Sequence, residues 1–251
     1  METTDLYIGT SGIVLPFKNQ ANYPVEFDGQ SRLQVYGHIF NSIEVNSTFY
    51  KLPKPETVAR WSGTVPENFR FTFKLWKELT HNSGITFNRS DLSAFANVIK
   101  SAGDNRGCIL VQLPPSTKFS SLSQLGELLS NLQQETDDEW PVAIEFRDKS
   151  WYRQESYDLL DAYNATMVYH DKAGSQSTLE PLRSETIYLR FHGPEGNYRG
   201  SYDQGLLHEY AGYVQEWHQA RKKVYIYFNN TAGDALANLQ TLRTYVTNGN
   251  C

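Results

Sequence analysis

Four pairs of polar residues in this chain are spaced for shared chemistry. Glu44 and Asn46, Glu145 and Arg147, Arg190 and His192, and Tyr227 and Asn229 each stand two positions apart. In an extended strand, period two puts both members of a pair on one side. The intervening Val45, Phe146, Phe191 and Phe228 then face the other way. A charge turned inward without a partner is very costly, so such groups pair with one another or hold a ligand. Ion pairs between strands are the plain structural reading, and recurrence on four segments favours a polar pocket.

The residue types suggest what that pocket would do. Glu44 and Glu145 offer acid or base function, and His192 titrates near neutrality. Arginine presents a fixed bidentate fork suited to phosphate and carboxylate. Other apolar runs also end in polar residues: Thr10 and Ser11, Lys74 with His81 soon after, Gln112, Asp171 and Asn230. Lys74, His81, Arg147, Arg190 and His192 together would make one face positive, although the chain carries a formal charge of −5. A positive cleft on an acidic protein suits an anionic substrate group.

The leading expectation is a hydrolase or lyase acting on a phosphate-bearing or carboxylate-bearing molecule. Glu145 would be general base and His192 general acid, with Glu44 as a second carboxylate. Arg147 and Arg190 would clamp charge, while Thr10, Ser11, Asn46, Lys74, His81, Gln112, Asp171, Asn229 and Asn230 line the ligand. On this reading Arg190→Ala abolishes ligand binding and leaves the melting temperature nearly unchanged. Arginines paired with Glu44 and Glu145 would speak instead for a structural role.

Three alternatives stand beside it. Glycoside hydrolysis needs two carboxylates at a set separation, which Glu44 and Glu145 could supply, but arginine is an unusual neighbour for a neutral sugar. A metal-dependent nuclease or isomerase could draw ligands from His81, His170, Asp171, His192, Glu44 and Glu145. No His-Glu-x-x-His or clustered cysteine spacing occurs, so neither a metal nor another cofactor is expected. A non-enzymatic protein holding a nucleotide, an RNA end or a protein tail is the third.

These residues need elements to position them. Eight short apolar runs recur: 6–9, 42–45, 70–73, 108–111, 142–146, 166–169, 187–191 and 224–228. They are rich in β-branched and aromatic residues, as buried parallel strands should be. Helix-period stripes lie between several of them. Leu92, Phe95, Ala96 and Ile99 form one, with Ser90 as N-cap and Gly103 past its end. Leu122, Leu125, Leu129 and Leu132 form another, as do Leu207, Tyr210, Ala211, Val214 and Trp217, and Ala235, Leu236, Leu239 and Leu242. Eight alternating units in 251 residues predict an α/β fold of the TIM (β/α)8 type, with a single domain over 1–251. The stretch between Tyr169 and Ile187 shows no helical stripe, so the crossover between strands six and seven should be irregular. In such a barrel the functional groups gather where strands end, at the C-terminal face. Gly193 to Gly205 holds four glycines with Tyr198 and Tyr202, and reads as a lid or a plain surface loop.

Composition excludes other classes. Hydrophobic residues make up 39% and aromatics 14%, which argues against disorder. The acidic balance does not favour nucleic acid as a partner, and a small anionic ligand fits better. No run approaches a membrane span, and the start lacks a signal-peptide pattern, so a cytoplasmic location is expected. Two cysteines cannot make a disulfide scaffold. Nothing in the sequence fixes an oligomeric state.

A family resemblance rests on motifs distributed along the chain. They are Gly9-Thr10-Ser11-Gly12, Ile43 to Tyr50, Trp61 with Pro66-Glu67-Asn68-Phe69, Phe71 to Lys74, and Thr80-His81. Glu145-Phe146-Arg147 with Ser150-Trp151, Leu189 to Gly193 and Tyr227 to Asn230 continue the series. In this order they resemble the DUF72, or YecE-like, family. The resemblance implies a TIM barrel, in agreement with the strand count, and brings no settled activity. One position departs: the family usually has Trp after the opening Gly-Thr-Ser-Gly, where this chain has Ile13, with Phe17 at a second aromatic position nearby. Any ligand contact made by that tryptophan is not implied here.

Overall fold

The computed structural model describes residues 5–82, 84–179 and 183–248. Its elements run β1 (Leu6–Thr10), α1 (Arg32–Ile39), β2 (Ser42–Val45), α2 (Ser47–Tyr50), α3 (Pro55–Ser62), β3 (Arg70–Lys74), α4 (Arg89–Lys100), β4 (Arg106–Gln112) and α5 (Leu122–Glu135). They continue as β5 (Val142–Glu145), α6 (Gln154–Ala162), β6 (Thr166–His170), β7 (Thr186–Phe191), α7 (Gln204–Gln219), β8 (Lys223–Phe228) and α8 (Ala235–Asn248). All eight strands are parallel, in the order β1-β8-β7-β6-β5-β4-β3-β2. The expected TIM-type barrel is therefore present. Among the described residues no helix joins β6 to β7, as the missing stripe predicts. No helix among them is long and apolar enough to cross a membrane.

The ring closes between β1 and β2 by an unusual seam. Only one bridge, Ser11 to Glu44, links their backbones in a ladder. Below it, side chains do the pairing. Asn41 accepts from the Ile8 amide at 2.9 Å and donates to the Leu6 carbonyl at 2.7 Å. The Tyr36 hydroxyl accepts from the Thr10 amide at 2.8 Å and donates to the Ser42 carbonyl at 3.0 Å. Gly9 is required there, because a Cβ would overlap the Ser42 carbonyl oxygen.

Inside the barrel the lower layers are packed rather than hollow. Tyr7, Cys108, Leu110, Ala143, Val168, Tyr188, Tyr225 and Tyr227 form one buried cluster. Tyr7 stacks on Tyr225 at 4.8 Å, and the Tyr227 hydroxyl lies 2.8 Å from that of Thr72. The strands' other faces pack under the helices, as where Phe191 stacks on Phe228 at 4.7 Å. This floor of tyrosines lies beneath the polar residues at the strand C-termini.

Candidate functional site

Every second residue near the C-terminal ends of β2, β5 and β7 points inward, and the pairs read from the sequence meet there. Arg190 lies at the centre. Its Nη2 donates to Glu44 Oε1 at 2.7 Å, and its Nη1 bonds Glu145 Oε2. Glu44 also accepts from the Ser11 hydroxyl, from Tyr188 at 2.6 Å and from the Asn46 amide at 3.3 Å. Glu145 Oε1 is paired with Arg147 Nε. Glu44 and Glu145 are fully buried, and Arg190 is 2% exposed.

Electrostatics follow from these contacts. Burial by itself raises a carboxyl, but the Arg190 charge and the hydrogen bonds from Arg190, Ser11 and Tyr188 outweigh it at Glu44 and hold it below its ordinary value. At Glu145 burial is again overcome, by Arg190, Arg147 and the neighbouring histidines, and the shift is larger. Both carboxylates stay ionised. Burial disfavours the Arg190 charge, yet the two glutamates reverse this and raise it.

His192 is fully buried beside them. Its Nε2 lies 3.0 Å from Arg147 Nη2 and 3.3 Å from Arg190 Nη1. A guanidinium only donates, so Nε2 accepts and the ring proton is assigned to Nδ1, 3.5 Å from Asp171 Oδ1. Burial holds His192 below its usual value despite the charge of Glu145. Asp171 also accepts from the His192 amide at 2.7 Å and from the Tyr202 hydroxyl. It orients His192. His170 is likewise neutral: its Nδ1 accepts from the Lys172 amide at 3.1 Å, leaving Nε2 to donate to the Phe146 carbonyl at 3.0 Å. Burial takes it down to about 4.

These contacts correct several expectations. In this arrangement His192 Nε2 accepts from Arg147 and Arg190, so that atom has no proton to give as the expected general acid would. Glu145 is held by two arginines and is a poor base. Arg190 is committed to the two glutamates, which is the pairing expected of a structural role. Its guanidinium also fills the gap between Glu44 and Glu145 that a sugar would need. Thr10 is turned to the helix layer, where its hydroxyl donates to the Gly12 carbonyl at 2.6 Å. Asn230 is buried and donates to Gly200 and Asn238, so it secures a loop instead of lining the mouth. That loop, 193–205, is anchored by its own Tyr202, which is buried and donates to Asp171, and its Tyr198 ring lies 5.6 Å from that of His192.

Of the remaining expected site residues, Lys74, Gln112, Arg147, Asn46 and Asn229 are half-buried at strand ends and His81 is exposed. Lys74 Nζ donates to Gln112 Oε1 at 2.8 Å and lies 4.2 Å from the centre of the Phe49 ring. Burial and the Arg190 charge bring Lys74 down to about 8, against the pull of Glu145 and Glu44. The His81 ring lies 4.8 Å from that of Phe49 and nearly perpendicular to it. Partial burial and the charges of Lys74, Arg147 and Lys77 lower it, so it is neutral at pH 7. Sequence reasoning missed Tyr188 and Phe49. Tyr188 could have been found, since it lies two residues before Arg190 and shares its face. Phe49 carries no such signal, because α2 is a single turn outside the barrel pattern. Trp151, part of the Ser150-Trp151 motif, is buried packing: it stacks on Phe146 at 4.9 Å. Among the described residues, no three or more His, Cys, Asp or Glu side chains cluster so as to hold a metal ion.

Comparison with known proteins now bears on this geometry. The family described as "Protein of unknown function DUF72" matches residues 7–250. The chain belongs to the DUF72 family. It is 26% identical to the UPF0759 protein YunF of Bacillus subtilis (strain 168), over 91% of this chain and 89% of that one. It is 31% identical to the UPF0759 protein YecE of Escherichia coli (strain K12) over 41% of this chain and 38% of that one. Among solved structures, a DUF72 protein of Enterococcus faecalis V583 superposes with a TM-score of 0.79 at 19% identity, covering 96% of this chain and 95% of that one. One of Thermotoga maritima MSB8 gives 0.76 at 24% identity, covering 96% and 99%. At this identity the likeness of structures concerns the DUF72 fold alone. The residue departing from the family pattern, Ile13, lines a mainly apolar cavity of about 340 Å³ with Leu33, Ile43, Val45, Trp61 and Phe71, and with Asn46, whose amide bonds Glu44.

Proposed function

We propose that the mouth of this DUF72 barrel binds a small molecule through a phosphate or carboxylate group, and that the protein is a hydrolase or lyase acting on it. The observation that carries this reading is the charge balance of the inward-facing layer. Lys74, Arg147 and Arg190 bring three cations, while Glu44 and Glu145 bring two carboxylates. Arg190 is consumed by both glutamates. Arg147 is itself paired with Glu145, so Lys74 holds the one surplus charge, with the neutral side chains of Gln112, Asn46 and Asn229 at other strand ends. With His192 and Glu145 occupied, His81 and Lys74 are the groups free to move a proton. A neutral imidazole and an amine near pH 8 both suit that work.

A second reading, anion binding without turnover, is favoured by one observation: both buried carboxylates are tied up by arginines. Titration of 15N-labelled protein with inorganic phosphate tests the shared part. The reading expects shifts confined to the ends of β3, β4 and β5, lost in Arg147→Gln. Shifts that survive in Arg147→Gln, or that fall elsewhere on the surface, overturn it. Turnover assays on phosphorylated and carboxylated compounds that bind then separate enzyme from binding protein.

A further inference from the structure

We propose that Lys74 is an amine nucleophile that forms an imine with the carbonyl group of an anionic aldehyde, ketone or oxo acid bound in the mouth. This rests on the anion-binding reading above and names its substrate class. Lys74 ends β3 and follows Thr72 on the inward face, where Thr72 meets Tyr227 inside the barrel. Among the described residues, Arg147 and Arg190 pair with carboxylates, whereas Lys74 pairs with none. Its Nζ is held instead by a neutral amide oxygen and an aromatic face. A lysine taken out of water beside other cations, with no carboxylate to fix its proton, is the setting that makes an amine reactive.

Burial supports the same conclusion, since an amine near 8 has a neutral fraction at pH 7 larger than that of an ordinary lysine by roughly two to three hundredfold. Arg147 would hold the substrate's carboxylate or phosphate, leaving the carbonyl to reach Nζ. The nitrogen lone pair attacks the carbonyl carbon, and the C=O π pair moves to oxygen. Proton transfer from nitrogen to oxygen gives a carbinolamine. The proton that the ammonium gave up to become a free amine is returned to the carbinolamine hydroxyl, and breaking the C–O bond releases water and leaves a protonated imine. Ammonium plus carbonyl thus becomes iminium plus water, with no redox change and no net proton. Such an iminium is an electron sink for cleavage at the adjacent carbon, which is lyase chemistry.

The test is reductive trapping with sodium cyanoborohydride, which delivers hydride to the iminium carbon and leaves a stable secondary amine. Full-length protein is treated with glyoxylate, or with propanal as an uncharged comparator, and each lysine is quantified by peptide mapping. The proposal expects glyoxylate to label Lys74 at least about tenfold faster than the exposed lysines as a group at pH 7, from the larger neutral fraction. Inorganic phosphate should suppress that label, and Lys74→Arg, which keeps the charge, should remove it. Glyoxylate labelling spread evenly over the exposed lysines overturns the proposal. If phosphate binds as described above and Lys74 is still not preferred, the amine falls and the anion reading stands. If propanal labels Lys74 as selectively as glyoxylate does and phosphate gives no protection, the amine stands and the anion reading falls.

Discussion

At the scale of the residue, Arg190 decides between two expectations. A ligand clamp could be removed at little cost to stability. A guanidinium buried between Glu44 and Glu145 could not, because its loss leaves two ionised carboxylates without their main partner. Arg190→Ala should therefore cost about 3–5 kcal/mol in urea unfolding. A loss below about 1 kcal/mol, the range of an exposed pair, would return Arg190 to the ligand. The buried titratable groups also set the acid limit. Glu44 and Glu145 have depressed folded values, so the stability they supply is present above about 4.3 and is lost as pH falls through their folded values. His170 acts earlier in the same direction. The unfolded chain takes up its proton near 6.5 but the folded one only near 4, so stability falls as pH drops across that window. The gap is worth on the order of 3 kcal/mol. His170→Gln should flatten the unfolding free energy measured between pH 7 and pH 4.5, and an unchanged slope would remove His170 as its cause. The inward face of these residues was legible because alternation fixes a face. Their partners were not, because period two says nothing about which strand lies opposite. Thr10 was misplaced for a related reason: it falls on the odd side of Gly9 and Ser11, facing α1.

At the scale of the element, the eight strands were readable to within two residues at either end, since each is a buried run with few polar interruptions. The α4 stripe was equally clear, although its cap is Asn88 and Ser90 lies inside the helix. Less visible were α1, α3 and α6, which are short helices of eight or nine residues with only one to three buried positions each. The seam was invisible. Nothing in the local pattern of β1 or β2 says that their backbones do not form a ladder, and Tyr36 and Asn41 act from outside both strands. That substitution of side chains for a ladder makes a specific prediction. Tyr36→Phe leaves the Thr10 amide and the Ser42 carbonyl without their shared partner inside the barrel wall. It should cost about 1–3 kcal/mol, the penalty for buried polar groups left unmade. Hydrogen exchange at the Thr10 amide should accelerate more than at β5. Equal protection at both positions in the variant would mean that water or backbone already closes the seam.

At the scale of the whole molecule, the charge of −5 and the surplus cation of the inner layer act over different distances. The overall charge repels an anion from afar, and salt screens that repulsion within about 8 Å at physiological ionic strength. Lys74 lies within the barrel mouth, where its field is less screened because low-dielectric walls surround it. An ordinary basic surface patch would lose affinity steeply as salt rises. Here the two effects oppose each other, since salt weakens the long-range repulsion as well as the local attraction. Phosphate affinity measured by calorimetry between low and physiological salt should change by less than about threefold. Lys74→Met should weaken it about tenfold, equivalent to about 1.4 kcal/mol of binding, while leaving the unfolding midpoint close to that of the parent. That last expectation follows from the pairing in the inner layer, because removing an amine that neutralises no carboxylate strands no buried charge. A tenfold loss with salt in the parent, or a collapse of stability in Lys74→Met, would place phosphate on the outer surface or make Lys74 part of the ion-paired frame.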